Sequence, residues 1–279
     1  MQISEPKPFQ GQVHENRYQT WIPPHPLSDW VHYFWQLHVP CGEFSYLSVP
    51  DNCVDLIFNL SDLDDAVLVS PFTSPIVFPL TGPTRYFGVR FRLLGQHALL
   101  SEPVSEWRSA DHQTPLKELL LPSFIDQLQE SCSFNDGFAQ TSHRVASAML
   151  QHIERPVIDP RVLQFIRYCY QPNRSFSLKE LAPQQLGITD RQLRRLTQQY
   201  LGVSPKAFCK VLRFQNTLRV WQIKRDNMVW AERYFDQSHF SREFNQLTGV
   251  TPQNFSKMSV LYNRTSSPSP IILLNDKGS

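Results

Sequence analysis

Two periodicities divide the chain. Between residues 30 and 94, short apolar runs are separated by turn residues. Val31, Tyr33, Phe34 and Trp35 open a β-rich stretch, and a second run at 54–58 is ended by the turn residues 59–65. Val67-Leu68-Val69, Ile76-Val77-Phe78 and the run at 86–91 follow, the last with Arg90 and Arg92 flanking Phe91. Alternation of this kind is the period of a half-buried strand. Several short strands with Pro, Gly, Ser and Asp between them predict an antiparallel sandwich or small barrel.

From 96 to 154 the pattern turns helical, divided by Pro103 and Pro122, with Leu116, Leu119 and Leu120 on one face. Pro156 and Pro160 mark a linker, after which the chain reads as helical to about Lys257. Residues 263–279 are rich in Ser, Pro and Asn, with an apolar patch at 271–274 that could dock. The expected fold is α+β. An N-terminal antiparallel β-barrel or sandwich with following helices occupies 1–154. An all-α domain of two helix-turn-helix units occupies 155–260, and a flexible tail 261–279.

The helical third contains a duplication. Leu201-Gly202-Val203-Ser204-Pro205-Lys206-Ala207-Phe208 returns as Thr248-Gly249-Val250-Thr251-Pro252-Gln253-Asn254-Phe255, 47 residues later. At the same offset Leu193 pairs with Phe240 and Arg195 with Arg242. One short match would be weak; agreement along a whole frame is an internal repeat. In each copy Gly suits a left-handed helix end, Ser204 or Thr251 an N-cap, and Pro205 or Pro252 the first helical position. A helix therefore ends, turns and restarts twice.

The helix before each turn carries the chemistry. In the first copy Thr189 can cap and Asp190 suits the positive helix end. Leu193, Leu196 and Tyr200 form a buried face. Arg191, Arg194 and Arg195 share another face at i, i+3, i+4. Three guanidiniums on one exposed stripe repel each other in isolation. Against DNA they become favourable, because Arg binds phosphate and pairs bidentately with guanine O6 and N7. A helix from Ser177 to Leu186, with Gly187 in the turn, precedes it, completing the helix-turn-helix plan. In the second copy Phe240 and Phe244 point inward. Gln237, Ser238, Ser241 and Arg242 are left outside, where they can read bases or hold phosphate, although an ordinary solvated helix face has the same look. His239 reads as a packing or capping residue. A linking helix from Pro205 to about Arg225 would set Phe208, Leu212, Leu218 and Trp221 against both halves.

Charge agrees with this division. Residues 1–154 carry 8 Lys/Arg against 17 Asp/Glu, whereas residues 155–258 carry 17 against 7. An acidic half joined to a basic half points to a polyanionic partner for the second. Five widely spaced cysteines, Cys41, Cys53, Cys132, Cys169 and Cys209, show no zinc-ligand spacing and read as reduced thiols of a cytoplasmic protein. The N-terminus lacks the pattern of a signal peptide, and no apolar stretch is long enough to span a membrane. Neither a metal nor a cofactor is expected.

Residues 175–257 resemble the DNA-binding domain of AraC/XylS-type bacterial transcription regulators. The resemblance rests on the run Asp236-Gln237-Ser238-His239-Phe240-Ser241-Arg242-Glu243-Phe244, followed by Thr248-Gly249-Val250-Thr251-Pro252. Thr189 to Pro205 fits the family's first unit. By position, Arg191, Arg194 and Arg195 match the first recognition helix, and Gln237, Ser238, Ser241 and Arg242 the second. Two features depart from the pattern: Pro183 lies inside the leading helix, and Arg233 stands where the second unit would have its turn Gly.

Trp30-Val31-His32-Tyr33-Phe34-Trp35, Pro50-Asp51-Asn52-Cys53-Val54-Asp55-Leu56-Ile57-Phe58-Asn59 and Gly88-Val89-Arg90-Phe91 are similar to a sensor-like domain found ahead of this unit in some members. That domain is expected to be a cupin-like barrel. The cupin metal pattern is missing, since His25, His32 and His38 do not supply it. The resemblance implies a promoter-binding regulator, more often an activator. Its expected partners are double-stranded DNA, RNA polymerase, a small-molecule effector and a second copy of the chain. Two other readings are a degenerate member working through protein contacts and an enzyme using Cys41, Cys53 or Asp55. The repeat itself predicts a lopsided reader, with the first unit anchoring and the second contributing less.

Overall fold

A computed structural model of the chain describes residues 8–13, 15–100, 102–107, 112–116, 122–131, 136–171, 178–224, 234 and 236–263. Among the described residues, seven strands form one antiparallel sheet. They are β1 (Tyr18–Trp21), β2 (Val31–Ser48), β3 (Asp55–Asn59), β4 (Asp62–Val69), β5 (Ile76–Phe91), β6 (Gln113–Pro115) and β7 (Leu261–Asn263). Their order is β1-β2-β5-β3-β4-β6, with β7 also on β2. β1 pairs with the first part of β2 and β7 with its second part.

The sheet is built on two strands longer than the apolar runs imply. β2 and β5 pair from Val31 opposite Phe91 to Ser48 opposite Ile76. The runs at 76–78 and 86–91 are thus the two ends of one strand. The intervening segment carries Pro79, Gly82 and Pro83, which read as punctuation in sequence. The ladder survives because it is irregular between Val39 and Gly42, where Gly42 lies opposite Gly82. A Cβ on Gly82 would sit 1.9 Å from the Pro40 carbonyl oxygen, so only glycine admits this approach.

Both faces of β2 are covered. Phe34 packs with Leu56, Phe58, Phe87 and Val89 on one face, while Tyr33, Trp35, Leu37 and Val39 join Phe44 and Leu80 on the other. Helices α1 (Pro122–Ser131) and α2 (Phe138–His152) close the first face with Phe124, Leu128, Val145 and Met149. The reading of 96–154 as helical needs one correction. Residues 113–115 form β6 on the edge of β4, too short to display alternation. Leu116 is buried there; Leu119 and Leu120 lie outside the described residues.

An extended segment containing Val157, 94% exposed, leads to the C-terminal helices. These are α3 (Pro160–Cys169), α4 (Leu178–Gln185), α5 (Asp190–Leu201), α6 (Pro205–Lys224), α7 (Gln237–Thr248) and the single turn α8 (Pro252–Phe255). The expected N-terminal antiparallel sheet, following helices and C-terminal helical region are all present. The tail differs from expectation at its start. Leu261–Asn263 is strand β7, paired with Phe44, Ser45 and Tyr46 of β2, because that stretch of β2 offers a free edge beyond β1. The rest of the tail, including 271–274, lies outside the described residues.

Candidate nucleic-acid interface

The first unit begins with α4, which contains Pro183 in its last turns with the ring exposed. An exposed position lets the ring project outward, and the helix ends two residues later. The expected start at Ser177 lies outside the described residues. Gly187 supplies a left-handed turn at φ +62°. Thr189 then caps α5, its Oγ1 accepting from Gln192 N at 3.2 Å while Gln192 Oε1 accepts from Thr189 N at 2.9 Å. This reciprocal capping box is written in the sequence as Thr-x-x-Gln, a signal beyond the N-cap residue alone.

Helix α5 divides its faces as its periodicity demands. Leu193, Leu196, Thr197 and Leu201 are buried, whereas Arg191, Arg194 and Arg195 are all exposed. Tyr200, expected on the buried face, is only half-buried and serves the rest of the molecule. Gln96 Nε2 and His97 Nε2 approach its carbonyl oxygen at 3.3 and 3.0 Å, and the His97 and Tyr200 rings meet edge to face at 5.4 Å. Burial pushes the His97 imidazole below its usual range, against the opposing effect of this carbonyl. Asp159, the N-cap of α3, is held below the usual carboxylate range, first by the Arg161 side chain and, more weakly, by the positive charge of Arg195.

The turns after α5 and α7 are the same. Gly202 at φ +69° and Gly249 at φ +73° end α5 and α7 in the left-handed conformation. Ser204 Oγ accepts from Ala207 N at 3.2 Å and Thr251 Oγ1 from Asn254 N at 3.3 Å. The restarted helices differ: α6 runs 20 residues and α8 only 4.

Helix α6 links the units as expected. Phe208 and Leu212 enter the core of the first, while Leu218 and Trp221 enter that of the second. Phe214, not singled out in sequence, is fully buried in the second core and meets Phe244 edge to face at 5.7 Å.

In the second unit Asp236 Oδ1 accepts from His239 N at 2.6 Å, capping α7. Phe240 and Phe244 point inward, and His239 packs edge to face on Tyr234. Gln237, Ser238 and Arg242 are exposed and Ser241 is partly so. Arg242 Nε bonds the Ser238 carbonyl at 3.2 Å, which lays its side chain back along the helix.

A further residue emerges on the buried side. Glu243 is bonded through both oxygens to Arg213 of α6, at 3.2 and 2.5 Å, tying the linking helix to α7. Its sequence signal is an acid adjoining Phe244 on an otherwise apolar stripe. Ala231, Glu232 and Arg233, where the second unit departs from the family pattern, lie outside the described residues.

The connection between β4 and β5 and the 3-10 turn at Val104–Glu106 touch the two units at their turns. A Cβ on Gly202 would meet Val104 at 2.7 Å and Pro71 at 3.7 Å, and one on Gly249 would meet Pro75 at 3.6 Å. Asn52 Nδ2 donates to the Phe208 carbonyl at 3.0 Å, and Leu47 and Val49 enter the core of the second unit. Behind Asn52 lies a buried ionic cluster. Arg90 binds Asp55 through two nitrogens and Asp51 at 2.8 Å, with Trp35 Nε1 donating to Asp55 at 3.0 Å. Asp55, weighed in sequence as chemically interesting, is thus held in an ion pair. Cys41 is exposed, and the Cys53 sulfur lies 3.7 Å from the Asp51 carbonyl oxygen. Among the described residues, no group of three His, Cys, Asp or Glu could hold a metal ion, and no helix is long and apolar enough to cross a membrane.

Comparison with known proteins places two segments. Residues 184–258 match a family described as a helix-turn-helix domain, and residues 19–113 match a domain family described as of unknown function, DUF6597. No curated protein matches the chain. Among solved structures, an apo variant of ToxT from Vibrio cholerae is similar at 12% identity and a TM-score of 0.41, over 80% of this chain and 91% of that one. Wild-type ToxT from the same organism, bound to an unsaturated fatty acid, is similar at 9% identity and a TM-score of 0.37, over 80% and 89%.

Proposed function

We propose that the chain is a DNA-binding transcription regulator of the AraC/XylS type that reads promoter DNA with α5 and α7 in successive major grooves, a reading supported by the match of residues 184–258 to a helix-turn-helix family. The observation that carries this reading is the equivalence of the two helices. Each is N-capped, each ends in a left-handed glycine turn, and each leaves its N-terminal polar residues exposed. Recognition helices contact bases through that end. Arg191, Arg194 and Arg195 anchor α5. Gln237, Ser238, Ser241 and Arg242 form a weaker surface on α7, where Arg242 is partly engaged by its own helix.

The regulator acts as an activator that recruits RNA polymerase. Its N-terminal domain senses a small-molecule effector or pairs with a second copy. The contacts at Gly202 and Gly249 support such coupling. The connection between β4 and β5 carries both Pro71 and Pro75, so a shift in it would reach both turns.

Selection of bound fragments from genomic DNA, followed by salt titration on the selected duplex, tests the reading. The logarithm of affinity should fall with the logarithm of salt by about 0.9 per phosphate neutralised. Arg194→Ala should lower the preference for selected over random DNA by roughly 5- to 150-fold, the value of one bidentate base contact. Gln237→Ala should cost less. Equal binding of selected and random DNA at every salt concentration would sink sequence-specific reading. Equal losses for the two variants would sink only the lopsidedness.

A further inference from the structure

Helix α3 ends on Cys169, and Cys209 lies early in α6. Their Sγ atoms are 3.7 Å apart, and both side chains are partly buried against the core of the first unit. Both are free thiols. Neither belongs to the reading face or to the contacts with the sheet described above.

The two sulfurs are not equivalent. Either sulfur can donate in the contact between them; with Cys169 as donor the hydrogen bond pushes the Cys209 thiol down, and Arg213, one turn further along α6, lowers it again against the effect of burial. The same hydrogen bond, together with burial, pushes Cys169 up. Thiol oxidation begins at the sulfur with more thiolate character and is completed by a neighbouring thiol that resolves it. A pair in contact, with one member more acidic, supplies both parts.

We propose that Cys169 and Cys209 form a redox modification site, oxidised by a hydroperoxide to a disulfide that closes a covalent ring around the first reading unit. The Cys209 thiolate attacks one peroxide oxygen. The O–O bond breaks, a sulfenic acid forms on Cys209, and the departing oxygen takes up a proton as water or an alcohol. Cys169 then loses its proton to the sulfenic oxygen, and its sulfur attacks the Cys209 sulfur. The S–O bond breaks and water leaves. Two thiols and one peroxide thus give one disulfide, one water and one water or alcohol.

A dithiol reverses the bond by exchange. The sulfurs must close from 3.7 Å to about 2.05 Å, a movement within reach of side-chain rotation and a small shift at the end of α3. The chain between the two cysteines carries α4, Gly187 and α5, so the ring encloses the whole first unit.

The experiment uses the full-length chain and no DNA, so its failure is separate from failure of the DNA-reading proposal. Protein is treated with a few equivalents of hydrogen peroxide, alkylated, digested and mapped by mass spectrometry. A cross-linked Cys169–Cys209 peptide pair is expected. The melting temperature should rise by roughly 5 °C, because closing a long loop restricts the unfolded chain. Dithiothreitol should reverse both changes, Cys209→Ser should abolish both, and Cys41→Ser should leave both intact.

Cys169→Ser provides a second route. It should let a sulfenic acid persist at Cys209, captured by dimedone. Peroxide treatment that leaves Cys169 and Cys209 fully alkylatable while Cys41 is oxidised would overturn the proposal. So would the absence of a dimedone adduct on Cys209 in folded Cys169→Ser protein.

Discussion

Arg90 shows how one residue joins the two halves of the molecule. Arg90 is 6% exposed and its guanidinium is bonded to Asp51 and Asp55, while Asp51 also takes a hydrogen bond from Gln10 at 2.6 Å. Burial pushes the Asp51 carboxyl up, and the positive charge of Arg90 opposes it. Removing one partner of a buried ion pair leaves an uncompensated charge, typically a loss of about 3–5 kcal/mol. Arg90→Leu should therefore lower stability by that order in urea unfolding. Because Asn52 follows Asp51 and bonds α6, the loss should extend to the C-terminal helices. A shift below about 1 kcal/mol would contradict the assigned role. The sequence displayed Arg90 only as a residue flanking Phe91 in an alternating strand. It is buried because the second face of β5 is also covered, a fact no strand records about itself.

At the scale of elements, α5 and α7 are held by their ends more than by propensity. Thr189 satisfies the amide of Gln192, and that side chain returns the favour, so α5 begins where Asp190 and Arg191 must be placed. Thr189→Ala should cost about 1 kcal/mol, the usual value of a lost N-cap. It should also fray the turn carrying Arg191, measured as faster amide exchange in the first turn of α5 and lower DNA affinity. Unchanged exchange there would show that packing, not capping, sets the start of the helix. This cap, the two glycine turns and the inward faces of α5 and α7 were all legible, because each rests on residues within one or two helical turns. The continuity of β2 and β5 was not. Pro and Gly inside them break the local pattern, and only pairing between the two strands shows that the ribbon bends there without ending.

Across the whole molecule, the helix-turn-helix units and the sheet share cores instead of standing apart. Leu94 packs into the first unit, and Leu47 and Val49 into the second. His97 lies on this boundary against Tyr200. Its folded-state pKa is depressed by burial, so in the window below the unfolded value of about 6.5 the unfolded chain binds a proton more readily. The sign follows: the contribution of His97 is fully present above that value and is lost as pH falls through the depressed folded value. Thermal melts between pH 7.5 and 5.5 should show wild type losing more stability than His97→Gln. Parallel losses in the two proteins would remove His97 as the cause.

The sequence by itself determined the duplicated helix-turn-helix pattern, the exposed arginine stripe of α5, the polar face of α7 and the β-rich character of the N-terminal half. Helical and strand periodicities, caps and turn glycines are local, and a repeat at one offset makes them visible twice. Only the tertiary structure decided that Pro71, Pro75 and Val104 abut the two turns, that Glu243 meets Arg213, that Leu261–Asn263 joins β2, and that Cys169 touches Cys209. Those contacts join residues 30 to 219 positions apart, and the pattern of neither partner contains the other. They exist because burying the apolar faces of sheet and helices against one another fixes which distant groups meet.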